Sequence, residues 1–260
     1  MMERAFDHHG LEWRYITLEV APEALHDAML GMRAMRFRGG NITKPHKVDV
    51  LRYLDELSQA AGLMGAVNCI NRQGDRLIGE NTDGKGFVQS LVKVADDGIA
   101  EKNVVILGAG GAARAIAVEL ALSGAGPFTI VNRTAERGQH LAALLGQQLN
   151  VEANYAPWEG DYRVSEATDV LINATSIGLF DPDARVPVDE TSLAPPLIVA
   201  DVVFNPPNTR FLAAAADRGC TTLDGLGMLV NQGVISFEIW TGISPDPTVM
   251  RDALEEYLGL

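Results

Sequence analysis

Apolar and polar positions along this chain switch between two periods, and the switches predict where strands give way to helices. Residues 12–20, EWRYITLEV, are rich in β-branched and aromatic side chains and stop short of Pro22, so a strand is expected there. Leu25, Met29, Leu30 and Met32 then recur at helical spacing and predict a helix over 23–34. FRGGNIT, 37–43, reads as a second strand, and 45–57 as a second helix. Strand and helix alternating in this way predict an α/β domain with a mainly parallel sheet. The stretch 65–82, GAVNCINRQGDRLIGENT, breaks that rhythm, because two short β-prone runs flank NRQGD as in a hairpin. Thr82 is placed to cap a helix over 83–94, and the polar ADDGIAEKN, 95–103, marks a linker.

Past the linker the pattern changes character. Val104 to Leu107 are four consecutive apolar residues, as a parallel strand buried on both faces requires, and an Ala-rich helix follows after a glycine turn. Gly108, Gly110 and Ala113 match the dinucleotide fingerprint, which needs a tight turn, close approach of backbone to pyrophosphate, and a helix packed on the strand. The pyrophosphate is then expected on the amides that open that helix. The next strand ends in Asn132-Arg133-Thr134, with Arg137 one turn on, where an NAD site carries an acidic residue. A guanidinium pairs with a 2′-phosphate and a carboxylate repels it, so NADP is the expected cofactor. DVLINATS, 169–176, and LIVADVV, 197–203, continue the same sheet.

Composition removes several classes of partner. With 34 acidic against 21 basic residues in 260, the net charge of −13 repels a phosphate backbone, so no nucleic acid is expected. No run reaches the length of apolar residues a membrane helix needs, and MMERAFDHHG carries no apolar signal segment. Cys69 and Cys220 form no metal or disulfide pattern, which fits a cytoplasmic protein. His8, His9, His26, His46 and His140 lack ligand spacing, so no metal is expected. Ser176 lies in ATSIG, without the first glycine of a serine-hydrolase elbow.

GGNITKPHKV, 39–48, raises a question of charge: Lys47 follows a Thr-x-Pro turn with no acid beside it in sequence. A domain that holds NADP needs a partner that supplies substrate and a proton for the developing alkoxide, and a positioned lysine does that work. Asp83, opening a helix after GENT, is the group expected to orient it or to accept from a substrate hydroxyl.

GGNITKPHK, GAVNCI, GENTDGKGF, GAGGAAR, NRT, NATSIG and DGLGMLVNQG, in that order, resemble the signature blocks of the shikimate dehydrogenase family, from about Leu11 to the end of the chain. The resemblance implies an enzyme that reduces 3-dehydroshikimate to shikimate with NADPH. Its fold would be a substrate domain over 1–99, rejoined by C-terminal helices 225–260, and a Rossmann-type NADP-binding domain over 100–224. It implies Lys47 and Asp83 as catalytic residues, and substrate contacts at Asn41, Thr43, Asn68, Gln232 and the position of Phe204. Cofactor contacts are implied at Gly108, Ala109, Gly110, Gly111, Ala112, Asn132, Arg133, Thr134, Arg137, Thr175, Val202 and Gly225. The implied partner is a small hydroxy acid, with the protein a monomer or homodimer. Two departures stand out. The Ser-x-Ser-Pro loop that binds the substrate carboxylate in the family is not in this sequence, and Phe204 stands where many members have tyrosine. The readings beside shikimate are therefore a dehydrogenase of this type with another substrate, such as quinate, and an NADP-binding homologue of weak activity.

Overall fold

The computed structural model describes residues 1–260, and the chain divides into two compact units, Met1–Asp83 with Val230–Leu260, and Gly84–Leu229. The helix that opens at Asp83 thus runs into the second unit, whereas the expected boundary lay in the 95–103 stretch. Two observations account for that. A Cβ on Gly84 would lie 2.3 Å from the Ala115 carbonyl of the second unit, and Ala95 and Ile99 are buried.

The first unit begins with α1 (Met2–His8) and α2 (Leu25–Ala34). Its sheet is built from β1 (Gly39–Asn41), β2 (Glu56–Leu57), β3 (Cys69–Gln73) and β4 (Arg76–Glu80), with α3 (Gln59–Met64) between β2 and β3. Strand order is β1-β3-β4-β2, with β1 on β3 and β3 on β4 antiparallel and only β2 on β4 parallel. The mainly parallel sheet expected here is corrected to a mixed one. The reason is local: β3 and β4 are joined by Gly74-Asp75 alone, far too short for the crossover that parallel pairing demands.

Two further expectations fail in this unit. Residues 12–20 form no strand, since β-prone side chains do not make one without a neighbouring strand to take up the N–H and C=O groups. The Tyr15 amide is satisfied instead by the Glu3 carboxylate. Residues 45–57 form no helix beyond one 3-10 turn at Asp49–Tyr53. There the Lys47 carbonyl accepts from the Val67 amide at 2.8 Å, which ties the segment to the start of the hairpin as a loop. The hydrophobic core joins Leu25 and Met29 of α2 to Val50, Ala61, Val67, Ile70 and Leu77.

The second unit takes α4 (Asp83–Val92) and then a regular alternation: β5 (Val104–Leu107), α5 (Gly111–Leu122), β6 (Phe128–Asn132), α6 (Ala135–Leu149) and β7 (Ala153–Pro157). β8 (Val170–Asn173), β9 (Ile198–Asp201), α7 (Arg210–Asp217) and β10 (Thr221–Leu223) follow. All six strands are parallel in the order β10-β9-β8-β5-β6-β7. The direction of winding reverses between β5 and β8, and in open α/β sheets ligands bind at the carboxyl ends flanking such a switch. Alternate residues serve the two faces: Val105, Leu107, Leu171 and Val199 pack with Phe211, Leu212 and Ala215 of α7 on one side. Ile106, Ile130 and Ile172 are fully buried on the other.

The last two helices, α8 (Gly225–Thr241) and α9 (Pro247–Leu258), carry the chain back into the first unit. Phe237 of α8 packs on Phe6 at 5.2 Å, and the Trp240 indole donates to the Ile70 carbonyl at 2.9 Å. No helix is long and apolar enough to cross a membrane.

Candidate functional site

In the first unit the side chains expected at the site come together from several elements. Lys47 sits in the loop after β1, and its Nζ lies 2.6 Å from Asp83 Oδ2. The two side chains keep 30% and 20% of their surface exposed, so the pair is reachable by a ligand and partly shielded from water. Asp83 Oδ1 accepts from Asn68 Nδ2 at 2.8 Å, so both carboxylate oxygens are fixed. Asn68 is buried just before β3, and its own Oδ1 accepts from the Thr82 amide at 2.7 Å. Thr82 was expected only as a helix cap, yet its hydroxyl, which accepts from Asn68 Nδ2 at 2.9 Å, is a second support for that carboxamide.

Asn41 closes β1 and is held on three sides. Its Nδ2 donates to the Asn68 carbonyl at 3.3 Å and to Ser236 Oγ at 3.1 Å, and its Oδ1 accepts from the Tyr15 hydroxyl at 2.9 Å. Burial raises the Tyr15 pKa above that of an ordinary tyrosine, which keeps the hydroxyl a donor. Thr43 is exposed in the following loop, where its carbonyl accepts from the His46 amide. Gln232 lies on α8 one turn before Ser236, whose hydroxyl donates to the Gln232 carbonyl at 2.8 Å. Sequence reasoning missed Tyr15 and Ser236 as parts of this group.

The second unit places its expected residues at the carboxyl ends of β5, β6, β8 and β9. Gly108 follows β5 with φ of +106°, a conformation side chains disfavour, and a Cβ there would meet Thr175 Cγ2 at 3.0 Å. A Cβ on Gly110 or Gly111 would meet nothing within 4 Å, so the first amides of α5, including that of Ala112, are open to an anion. Ala109 lies in the same turn. Asn132 ends β6 and turns its Nδ2 back to the Thr134 carbonyl at 2.8 Å, while Thr134 stands at the start of α6. Arg133 and Arg137 are exposed and carry no carboxylate partner.

Polar residues at the ends of β8 and β9 then set the neighbouring loops. Thr175 Oγ1 donates to Asn173 Oδ1 at 2.7 Å, and the Val202 amide donates to the Asn173 carbonyl at 3.0 Å. Asn173 Nδ2 donates to Asp201 Oδ1 at 2.9 Å, and Thr209 Oγ1 donates to Asp201 Oδ2 at 2.8 Å. Burial pushes the Asp201 carboxyl up to about 6, against the pull of these donors and the Val203 amide. Gly225 opens α8 with its amide on the Val203 carbonyl. Phe204 follows the same loop and meets Phe180 edge-on at 6.3 Å. Asn173 and Asp201 were also missed, although a polar residue closing each apolar run, VLIN and IVAD, is a signal that finds them. No three His, Cys, Asp or Glu side chains come together as a metal site.

Family models match the chain in three stretches: the shikimate dehydrogenase substrate binding domain over residues 1–70, shikimate / quinate 5-dehydrogenase over 90–180, and the shikimate 5′-dehydrogenase C-terminal domain over 225–255. A shikimate dehydrogenase (NADP(+)) of Alkaliphilus oremlandii is 43% identical over 246 residues, 92% of this chain and 85% of its own length. The chain belongs to the shikimate dehydrogenase family. Among solved members, shikimate 5-dehydrogenase from Thermus thermophilus in complex with NADP(H) and shikimate is 35% identical, covers 98% of this chain and 92% of its own, and superposes with a TM-score of 0.84. The ligand-free 5-ketofructose reductase of a Gluconobacter strain is 52% identical, covers 98% and 91%, and has a TM-score of 0.95.

Proposed function

We propose that this shikimate dehydrogenase family member is an NADP-dependent oxidoreductase that interconverts a ketone and a secondary alcohol on a small polyhydroxylated substrate. The first reading is reversible reduction of 3-dehydroshikimate to shikimate. The observation that carries the chemistry is the Lys47–Asp83 pair at 2.6 Å, with the carboxylate pinned from its other side by Asn68.

The residues present fit NADP. Gly108 and the open amides of Gly110 to Ala112 suit a pyrophosphate, and the unpaired Arg133 and Arg137 suit a 2′-phosphate. Thr175, Val202 and Gly225 line the neighbouring strand ends, and Asn132 and Thr134 frame the arginines. NADPH, when bound, supplies the hydride that adds to the carbonyl carbon. As that carbon gains the electron pair, Lys47 Nζ gives a proton to the carbonyl oxygen, and in the reverse direction it takes one from the alcohol. Asp83 holds the ammonium in place and offsets its charge, so the proton donor is oriented rather than free to rotate. Asn41, Thr43, Asn68 and Gln232 of the first unit are proposed to shape the substrate pocket, and Phe204 is proposed as a further substrate contact. Both cysteines are buried and neither forms a disulfide, which supports a reducing, cytoplasmic setting.

A second reading is favoured by the comparisons themselves. Identity to the 5-ketofructose reductase is 52%, against 43% and 35% for the two shikimate dehydrogenases. Phe204 also withdraws a hydroxyl where many members carry one. On this reading the substrate is a keto-sugar without a carboxylate. Following NADPH absorbance with 3-dehydroshikimate and with 5-ketofructose in parallel decides between them, since the natural substrate will have the larger kcat/KM. Turnover of neither compound would sink the oxidoreductase reading.

A further inference from the structure

We propose that Tyr15 is a positioning residue that locks the Asn41 carboxamide, so that Asn41 presents to the substrate only a hydrogen-bond acceptor and selects a substrate hydroxyl at that point. The proposal rests on the reading of Asn41 as a substrate contact and deepens it.

A carboxamide has four bonding positions, two lone pairs on oxygen and two hydrogens on nitrogen. Both Asn41 Nδ2 hydrogens are already directed, one to the Asn68 carbonyl at 3.3 Å and one to Ser236 Oγ at 3.1 Å. Ser236 Oγ in turn spends its own hydrogen on the Gln232 carbonyl at 2.8 Å, so it can only accept from Asn41. On the other side the Tyr15 hydroxyl donates to Oδ1 at 2.9 Å. A flipped carboxamide would set Oδ1 against the Asn68 carbonyl, acceptor against acceptor, and would cost two bonds at once. The Asn68 carbonyl and Ser236 Oγ therefore select the orientation, and the Tyr15 hydroxyl, which in that orientation donates to Oδ1, holds the carboxamide from the opposite side.

What remains on Asn41 is one lone pair of Oδ1. A carboxylate or a carbonyl has no proton to offer it, and a hydroxyl has. Tyr15 is well placed to enforce this choice. Its ring lies 6.2 Å from the Trp240 indole, and its phenol, protonated at neutral pH as in any tyrosine, has its pKa raised further by burial. The group also ties the catalytic pair to the rest of the unit: the Asn68 carbonyl that Asn41 engages belongs to the residue whose Nδ2 holds Asp83.

The test is a double-mutant cycle on KM with whichever ketone the wild type turns over. Tyr15→Phe keeps the ring on Trp240 and removes only the donor. We expect KM to rise about 3- to 10-fold, the yield of one hydrogen bond, with kcat and the NADP dissociation constant little changed. Ser236→Ala, which frees the same carboxamide from its other side, should raise KM in the same range. In an Asn41→Ala background Tyr15→Phe should add nothing. The same KM factor in both backgrounds would mean that Tyr15 acts on its own, and an unchanged KM with a lowered melting temperature would mean a purely structural bond; either overturns the proposal. A readout free of substrate keeps this separate from the assigned activity. Hydrogen exchange of the Asn41 side-chain amide, followed by 15N NMR, should be faster in Tyr15→Phe than in wild type, and equal rates would overturn the lock even if neither ketone were turned over.

Discussion

In the first unit, polar side chains satisfy one another. Lys47 rests on Asp83, Asp83 on Asn68, Asn68 on Thr82, and Asn41 on Tyr15 and Ser236. In the second unit the equivalent surface is mostly main chain: the turn at Gly108, the open amides at the start of α5, and the loop after β9, with two free arginines as its exposed charges. On the proposed assignment of substrate to the first unit and dinucleotide to the second, the difference follows from what each surface recognises. A pyrophosphate is the same in every dinucleotide and can be met by backbone donors, which no substitution other than proline removes. A substrate with several hydroxyls and one reacting carbonyl needs particular atoms at particular points, and only side chains supply those. Deletion of a side chain should therefore damage the first unit's chemistry, whereas the second unit should respond mainly to added bulk and lost charge.

The largest expected effect is on the first side of that comparison. Lys47→Ala should lower kcat by about 10² to 10⁴, the usual contribution of a positioned acid or base, with NADP affinity unchanged because its proposed binders all lie in the other unit. Steady-state kinetics with a cofactor titration checks both halves, and a variant that kept a third of the wild-type kcat would remove Lys47 from the proton-transfer role. Asp83→Asn should lower kcat and weaken substrate binding together.

The buried side chains of Asn173, Asp201 and Thr209 in the second unit are exceptions to the backbone rule. Asp201 is fully buried, and its pKa of about 6 stands above the ordinary 3.8. The folded chain thus binds this proton more tightly than the unfolded chain does. Stability from this group is present in full below about pH 4 and is lost as pH rises through about 6, a change of about 3 kcal/mol by linkage. Asp201→Asn cannot titrate, so the stability gap between the variant and its parent should shift by roughly that amount, in favour of the variant, from pH 4 to pH 7. Urea denaturation at several pH values measures it. A constant gap would show that the three donors hold Asp201 ionised throughout. Because Asp201 fixes Asn173, and Asn173 fixes Thr175 and Val202, a change in NADP affinity across the same pH range would show that this carboxyl also sets the cofactor loops.

Arg133 tests charge rather than shape. Arg133→Ala should cost about 1.5 to 3 kcal/mol of NADP affinity, and leave NAD affinity almost untouched, since only NADP carries the 2′-phosphate. Titration of the two cofactors by fluorescence compares them directly, and equal losses for both would move Arg133 away from the 2′ position.

The contrast between the units also explains what could be read from the sequence. β5 was legible because a parallel strand buried on both faces is a continuous apolar run, and Gly108 after it takes a backbone conformation that side chains disfavour. The hairpin of β3 and β4 was legible because its turn is local. Residues 12–20 carry strand propensity but no strand, and 45–57 carry a helical pattern but no helix, because the decisive partners lie elsewhere in the chain: Glu3 for the Tyr15 amide, Val67 for the Lys47 carbonyl. The pairing of Lys47 with Asp83 was expected from their motifs, and the two side chains do meet. Tyr15 and Ser236 were not expected, since they meet Asn41 across 26 and 195 positions of sequence and no local pattern marks either contact.

The smallest expected effects come from two glycines of the second unit, and they bear most directly on whether its surface is made of backbone. A Cβ on Gly225 would lie 2.5 Å from the carbonyl oxygens of both Val202 and Val203. Those atoms are main chain at the end of β9 and cannot rotate away, so Gly225→Ala should destabilise by about 1 to 3 kcal/mol and displace the loop that carries Val202. Gly111 is the opposite case. Nothing lies within 4 Å of the position its Cβ would take, and it opens α5, so Gly111→Ala should leave the fold as stable as before or better by about 0.5 to 1 kcal/mol. If the amides there receive the pyrophosphate, the added methyl crowds the approach and NADP should bind less tightly despite the stabler fold. Melting temperature and NADP affinity then move in opposite directions in Gly111→Ala, and fall together in Gly225→Ala. A Gly111→Ala variant that bound NADP as well as its parent would mean that the open space over α5 is not where the phosphates rest.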